Sequence, residues 1–251
     1  MCRLLGVVSR APAPLTDTLA DDLEPFAALS SIHCDGWGMA YWNGDDDLVV
    51  DKSPEAALGS ADFWAAAKAA DTDAAMLHLR KASDGMTPNP LNTHPFVAGS
   101  VAFAHNGFFT PLSAVEAELR GVGGRVPEGD TDSERYFALV LAAMRTVGPV
   151  EALQATARRI EEVTDQLVSL NALLLTQRAL YAFSFWDDTV PPSQEAGRAT
   201  YELMFRVDED AVTVASDGWE PPGRQWERIY HGTVLEIDRE DLRVTVHRMP
   251  G

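Results

Sequence analysis

The chain has 251 residues, 46% of them hydrophobic and 8% aromatic, which is apolar material for one large core or two small ones, and residues 1–251 are read as a single domain. Lys and Arg number 20 against 38 Asp and Glu, and the formal net charge of −18 argues against a nucleic-acid or anionic-membrane partner. The two cysteines, Cys2 and Cys34, are too few for a disulfide framework. With no export signal and no uncharged run near the roughly 20 residues of a membrane span, a soluble protein of the reducing cytoplasm is expected.

In chain order, Arg3 to Ser9 reads as a buried strand, and Gly36 to Trp42 and Leu48 to Lys52 as a hairpin across the polar turn Asn43 to Asp47. Further strands are predicted at Ala74 to Leu79, Ser100 to Ala104, Val168 to Thr176, Ala179 to Phe185, Tyr201 to Val207, Ala211 to Ala215, Thr233 to Ile237 and Arg243 to Val246. Helical periodicity marks Ala61 to Ala70, Leu112 to Leu119, Asp132 to Thr146 and Val150 to Glu162. Ser83 to Pro95 and Gly121 to Asp130 read as loops, with surface turns at Pro191 to Gly197 and Glu220 to Gly223. Helices in blocks between strand blocks point to an α+β layered domain of mainly antiparallel sheets.

Cys2 follows the initiator Met. If Met1 is removed, a thiol stands beside a free α-amine that titrates near pH ~7.7–8.0 and can accept the thiol proton. Read alone, Cys2 is an ordinary buried cysteine at a strand edge. In Ala102 to Phe109 (AFAHNGFF) an apolar strand ends at His105, Asn106 and Gly107. Asn-Gly there suits a hairpin turn, or else an amide and a backbone N–H that converge on a tetrahedral oxyanion. Thr131 and Glu134 fit a capping box for the helix that follows.

Four segments in order, Met1-Cys2-Arg3-Leu4-Leu5-Gly6, His78 to Ser83 with Asn92-Thr93-His94-Pro95, His105-Asn106-Gly107, and Asp130-Thr131-Asp132-Ser133-Glu134, resemble the class II glutamine amidotransferases of the N-terminal-nucleophile hydrolase superfamily. Gly36-Trp37-Gly38 and Ala215-Ser216-Asp217 extend the likeness over most of the chain.

The resemblance implies a four-layer αββα sandwich in which Cys2 is the nucleophile, its amine the base, and Asn106 with Gly107 the oxyanion hole. It implies that Arg80 clamps the substrate α-carboxylate and that Asp132 binds its α-ammonium, with Ser83 and His105 also on the substrate side. No metal or organic cofactor is expected. The implied substrate is glutamine or a γ-glutamyl amide. The alternatives are a glutaminase subunit that delivers ammonia to a separate synthase, and a γ-glutamyl hydrolase of the ergothioneine-biosynthesis type. Lys81 and Asp84 stand where well-known synthases carry Trp and His, and no role is assigned to Asp84, His94 or Cys34.

Overall fold

The computed structural model describes residues 2–44, 47–82, 88–186, 202–216 and 225–250. Met1, Ser83, Asp84, Tyr201, Asp217 and the expected turns at Pro191 to Gly197 and Glu220 to Gly223 lie outside the described residues.

One sheet has seven strands: β1 (Arg3–Pro14), β2 (Trp37–Asn43), β3 (Asp47–Ser53), β4 (Asp71–Leu79), β9 (Leu203–Val207), β10 (Ala211–Ser216) and β11 (Glu227–Ile229), in the order β11-β9-β10-β1-β4-β2-β3. The other has six: β5 (Phe96–Ala98), β6 (Val101–Thr110), β7 (Gln166–Leu175), β8 (Ala179–Ser184), β12 (Thr233–Asp238) and β13 (Val244–Arg248), in the order β13-β12-β8-β7-β6-β5. Neighbouring strands run antiparallel throughout.

Helices α1 (Leu15–Thr18), α2 (Leu23–Ala28) and α3 (Ala61–Ala69) cover the outer face of the first sheet. Helices α4 (Leu112–Gly121), α5 (Asp132–Ala143) and α6 (Pro149–Val163) cover that of the second. The expected αββα sandwich is therefore present. The central strands of each sheet are buried on both faces, which explains why they read as near-continuous apolar runs: along β1, Leu5 and Val7 pack under the helices, while Leu4 and Val8 face the opposite sheet. α6 buries Leu153, Thr156, Ala157 and Ile160, the one-sided stripe that its periodicity predicts.

The sequence reading needs three corrections. The short elements α1, α2, β5 and β11 escape it because three to six residues do not establish a period. β1 runs on to Pro14 rather than stopping at Ser9. The strand expected to end at His105 continues through β6 to Thr110, with Asn106 opposite Asn171 and Gly107 opposite Leu170 on β7. Pairing with a full-length partner holds Asn-Gly extended, so the hairpin-turn reading falls. Among the described residues no helix is long and apolar enough to cross a membrane.

Trp42 ties the layers together. Its ring is buried between the sheets, and its Nε1–H donates at 2.9 Å to the Thr176 carbonyl in the turn that joins β7 and β8 of the opposite sheet. Trp42→Ala should cost about 3–5 kcal/mol in urea unfolding. Trp42→Phe, which loses mainly the hydrogen bond, should cost about 1 kcal/mol. Equal losses for both variants would show that the ring's volume contributes little.

Candidate active site

Cys2 stands at the entrance to β1, a strand flanked by β10 and β4. Because Arg3 pairs with Leu79, the chain leaving β4 runs past Cys2. The Lys81 N–H points to Cys2 Sγ at 3.5 Å, and the thiol lies 3.7 Å from the Lys81 carbonyl oxygen. From the other sheet, Asn106 Oδ1 accepts a hydrogen bond from the Cys2 backbone nitrogen at 3.0 Å. Asn106 is fully buried, and its Nδ2 has no hydrogen-bond partner among the described residues. The amide is thus fixed with its oxygen on the Cys2 nitrogen and its donor end unspent.

Gly107 admits no other residue. A Cβ there would lie 1.8 Å from the Ser169 carbonyl oxygen and 2.5 Å from His105 Nε2. Behind it, Ser169 Oγ reaches the Asn106 carbonyl at 3.1 Å and accepts the Asn171 N–H at 3.2 Å. His105 is buried, with Nε2 at 3.1 Å from the Ser169 carbonyl and Nδ1 at 2.9 Å from Ser133 Oγ. A carbonyl only accepts, so Nε2 carries the proton and Nδ1 accepts from the serine hydroxyl. Both ring nitrogens are engaged, which leaves His105 no polar atom for a ligand.

Asp132 opens α5. The Thr131 hydroxyl caps the helix by accepting the Glu134 N–H at 3.2 Å. The reciprocal half of the expected capping box is absent: the Glu134 carboxylate instead accepts the Glu128 and Gly129 N–H groups at 2.9 and 2.7 Å, which fastens the preceding loop. Asp132 Oδ1 accepts the Ser133 N–H at 2.8 Å and Oδ2 the Phe109 N–H at 3.3 Å, so the carboxylate is oriented from both sides. Arg80 is buried, and its Nη1 donates to the Asp35 carbonyl at 3.4 Å.

Burial pushes the Cys2 thiol pKa up. The Lys81 N–H, the amino terminus and Arg80 oppose that rise, while Asp132 reinforces it. Burial likewise lowers three imidazoles around the site: His78 to about 3, His94 well below its ordinary value, and His105 by less because Asp132 and the Ser169 carbonyl favour its charged form. His78 and His94 stack with ring centroids 4.1 Å apart.

Of the residues singled out in the sequence, the structure brings together Cys2, Asn106, Gly107, Arg80 and Asp132, and places His105 next to Asn106 on β6 with its ring on the strand's other face. Cys34 is exposed. Asp35, Ser133 and Ser169 also shape the site without having been picked out. Ser133 lies in the helix cap and Asp35 directly precedes the Gly-Trp-Gly run, both polar positions beside motifs. Ser169 sits in an apolar strand that gives no such hint.

A profile described as class-II glutamine amidotransferases matches residues 1–190. The chain belongs to this family. It is 28% identical over 141 residues to a Haemophilus influenzae protein assigned as a glutamine amidotransferase, covering 55% of this chain and 46% of that protein. It is 34% identical over 85 residues to the isomerizing glutamine–fructose-6-phosphate aminotransferase of Aliivibrio fischeri, covering 34% of this chain and 14% of that enzyme. The matched stretches thus span less than half of these relatives. Among solved structures, a glutamine aminotransferase class-II domain protein from Silicibacter pomeroyi superposes with a TM-score of 0.71 at 20% identity over 100% of both chains. Glutamine phosphoribosylpyrophosphate amidotransferase from B. subtilis gives 0.72 at 17% identity over 99% of this chain and 49% of that one. These likenesses show that the chain shares the fold of these two solved structures.

The buried histidines make the fold acid-sensitive. Their folded pKa values lie below the unfolded value of about 6.5, so below that pH the unfolded chain binds protons that the folded chain rejects. Stability is full above the unfolded pKa and falls as the solution is acidified, by up to about 1.4 kcal/mol per pH unit for each histidine. Urea unfolding at pH 7.5, 6.5 and 5.5 should show the decline, and His94→Phe should reduce its slope. An unchanged midpoint across this range would contradict the assignment of neutral imidazoles.

Proposed function

We propose that Cys2, freed by removal of Met1, hydrolyses the γ-amide of glutamine or of a γ-glutamyl amide through a thioester. The observation that carries this reading is the Cys2 nitrogen on Asn106 Oδ1 at 3.0 Å, with the buried Asn106 Nδ2 left unpartnered. A buried amide donor without an acceptor costs about 1–3 kcal/mol, a cost that a site for a transient oxyanion would offset when the oxyanion forms.

In this mechanism the α-amine of Cys2 takes the thiol proton and the thiolate adds to the γ-carbonyl carbon. The oxyanion receives hydrogen bonds from Asn106 Nδ2 and the Gly107 N–H. The α-ammonium then gives its proton to the leaving nitrogen, the C–N bond breaks, and ammonia or an amine departs. Water, deprotonated by the same amine, adds to the thioester carbon; the C–S bond breaks, glutamate leaves and the thiol regains its proton. A thiol pKa raised by burial suits this cycle, since the sulfur stays neutral at rest and ionises against its own amine.

Arg80 is read as the partner of the substrate α-carboxylate and Asp132 as that of the α-ammonium, which together orient the γ-amide towards sulfur. His105, with both nitrogens occupied, is read as a positioning residue for the Asn106–Gly107 strand rather than a substrate contact. Ser83 lies outside the described residues and is read on the substrate side from the resemblance alone.

Two measurements test the proposal. Intact mass and peptide mapping after exposure to diazo-oxo-norleucine should show loss of Met1 and a single adduct on Cys2; retained Met1 or an unlabelled Cys2 would overturn it. Release of glutamate from glutamine and from a panel of γ-glutamyl amides should be abolished by Cys2→Ala and lowered about 10²–10³-fold in kcat by Asn106→Ala.

Arg80→Lys should act differently. It keeps the charge and loses the planar pair of donors, so it should raise KM about tenfold or more with a smaller change in kcat. A pure kcat loss would remove Arg80 from substrate binding.

A further inference from the structure

Asp35 lies in the turn before β2, half-buried, and fastens the segment that passes the thiol. Its backbone N–H donates to the Arg80 carbonyl at 3.0 Å, and the Arg80 N–H donates to the Gly36 carbonyl at 2.8 Å. Arg80 Nη1 reaches the Asp35 carbonyl at 3.4 Å. These bonds use main-chain atoms of residues 35 and 36 and would survive a change of side chain. The carboxylate adds one that would not: Asp35 Oδ2 accepts the Ala82 N–H at 2.8 Å.

Lys81, between the two anchored residues, presents its N–H to Cys2 Sγ at 3.5 Å and its carbonyl at 3.7 Å. A carboxylate holding a backbone N–H is a charge-assisted bond, stronger than a neutral one. Without it, Ala82 loses its tie and the peptide beside the sulfur is held from the Arg80 side only.

We propose that Asp35 is a positioning residue of this site, holding the Arg80–Ala82 segment so that the Lys81 main chain stays against the Cys2 thiol and Arg80 stays set for the substrate carboxylate. The inference rests on the reading of Cys2 as the nucleophile. It explains why a side chain that reaches neither sulfur nor Asn106 is built into the turn: a displacement of about 1 Å at a reacting group can cost about 10²-fold in rate. The Lys81 N–H also favours the thiolate against burial, so loosening it makes the thiol harder to ionise. Of the other charged groups that act on the thiol, Asp132 and the amino terminus lie outside the segment that Asp35 holds, whereas Arg80 belongs to it.

The test uses the full-length, Met1-processed protein in a Cys34→Ser background, because exposed Cys34 would consume thiol reagents. Turnover of glutamine or the best γ-glutamyl amide is measured together with the pH–rate profile of iodoacetamide alkylation mapped to Cys2. Asp35→Ala should lower kcat/KM roughly 10–100-fold, with KM raised, and should move the alkylation midpoint to higher pH. Asp35→Asn keeps an oxygen that can accept the Ala82 N–H, so it should recover most of the rate and the parental midpoint. If Asp35→Ala does not fold, Asp35→Ser, too short to reach Ala82, carries the same expectation. Parental kinetics and midpoint in the Ala or Ser variant, or a loss in Asp35→Asn as large as theirs, would overturn the role of Asp35. An unreactive Cys2 in the parent would overturn the nucleophile reading itself.

Discussion

The hydrogen bond from the Cys2 nitrogen to Asn106 Oδ1 runs from one sheet to the other, joining residues 104 apart in sequence. It forms only if both sheets are in register. A slip of one residue in β1 against β4, or in β6 against β7, would turn either side chain to the opposite face. What prevents the slip is apolar packing. Leu4, Val8, Met76, Ala104, Leu173 and Leu180 fill the space between the sheets, and each would be turned out of it by the same one-residue shift. The sheets also approach closely there. A Cβ on Gly6 would stand 2.8 Å from the Leu180 side chain and 3.2 Å from that of Leu173, so β1 crosses the facing sheet where it carries no side chain. The hydrophobic core is thus the jig that sets the polar contact.

The face that is apolar in mid-sheet becomes polar towards the Cys2 end. Next to Leu4 comes Cys2, next to Met76 comes His78, next to Ala104 comes Asn106, and next to Leu173 comes Asn171. Burying such groups is costly, and the molecule meets the cost unevenly. Asn171 Oδ1 is satisfied by the Phe185 N–H at 2.8 Å, and burial keeps the His78 and His94 imidazoles neutral, although both ring nitrogens of His94 lack a hydrogen-bond partner among the described residues. Asn106 Nδ2 is left without a partner. An unpaired buried donor is a local loss of stability that a core residue would avoid, and its placement beside Cys2 agrees with a group held ready for charge that develops during reaction.

Much of the fold was legible in the sequence because the long elements carry a period. The helices α3 to α6 and most strands lie within a few residues of where apolar spacing puts them. The short helices α1 and α2 and the three-residue strands β5 and β11 carry no such signal. The candidate site was legible only as a set. Cys2 alone reads as a strand-edge residue, and Asn106-Gly107 alone reads as a turn. Their meaning depends on β7, about 60 residues later in the chain, whose pairing keeps Asn-Gly extended. No local rule contains that information. Asp35 and Ser169 were missed for a related reason: they bind main-chain atoms of distant segments, a role that almost any polar residue could fill on sequence grounds.

Asp132 illustrates how helix capping and proposed substrate recognition coexist in a few residues. Thr131 meets the capping need, which frees Asp132 to face outward from the first turn. Glu134, released from the reciprocal half of the capping box, fastens Glu128 and Gly129. The Asp132 carboxylate is oriented by the Ser133 and Phe109 N–H groups, one on each oxygen. A carboxylate oxygen accepts more than one hydrogen bond, so Oδ2 keeps capacity for an ammonium group, while Oδ1 also has the Ser133 hydroxyl at 3.2 Å. Arg80 is likewise buried and anchored before any ligand arrives. Binding through such groups immobilises few protein side chains, so more of the interaction energy remains to hold the amide carbonyl at the sulfur. The proton on sulfur is then the part of the site left to move, which is why the contacts of the Lys81 main chain with the thiol matter more than their length suggests.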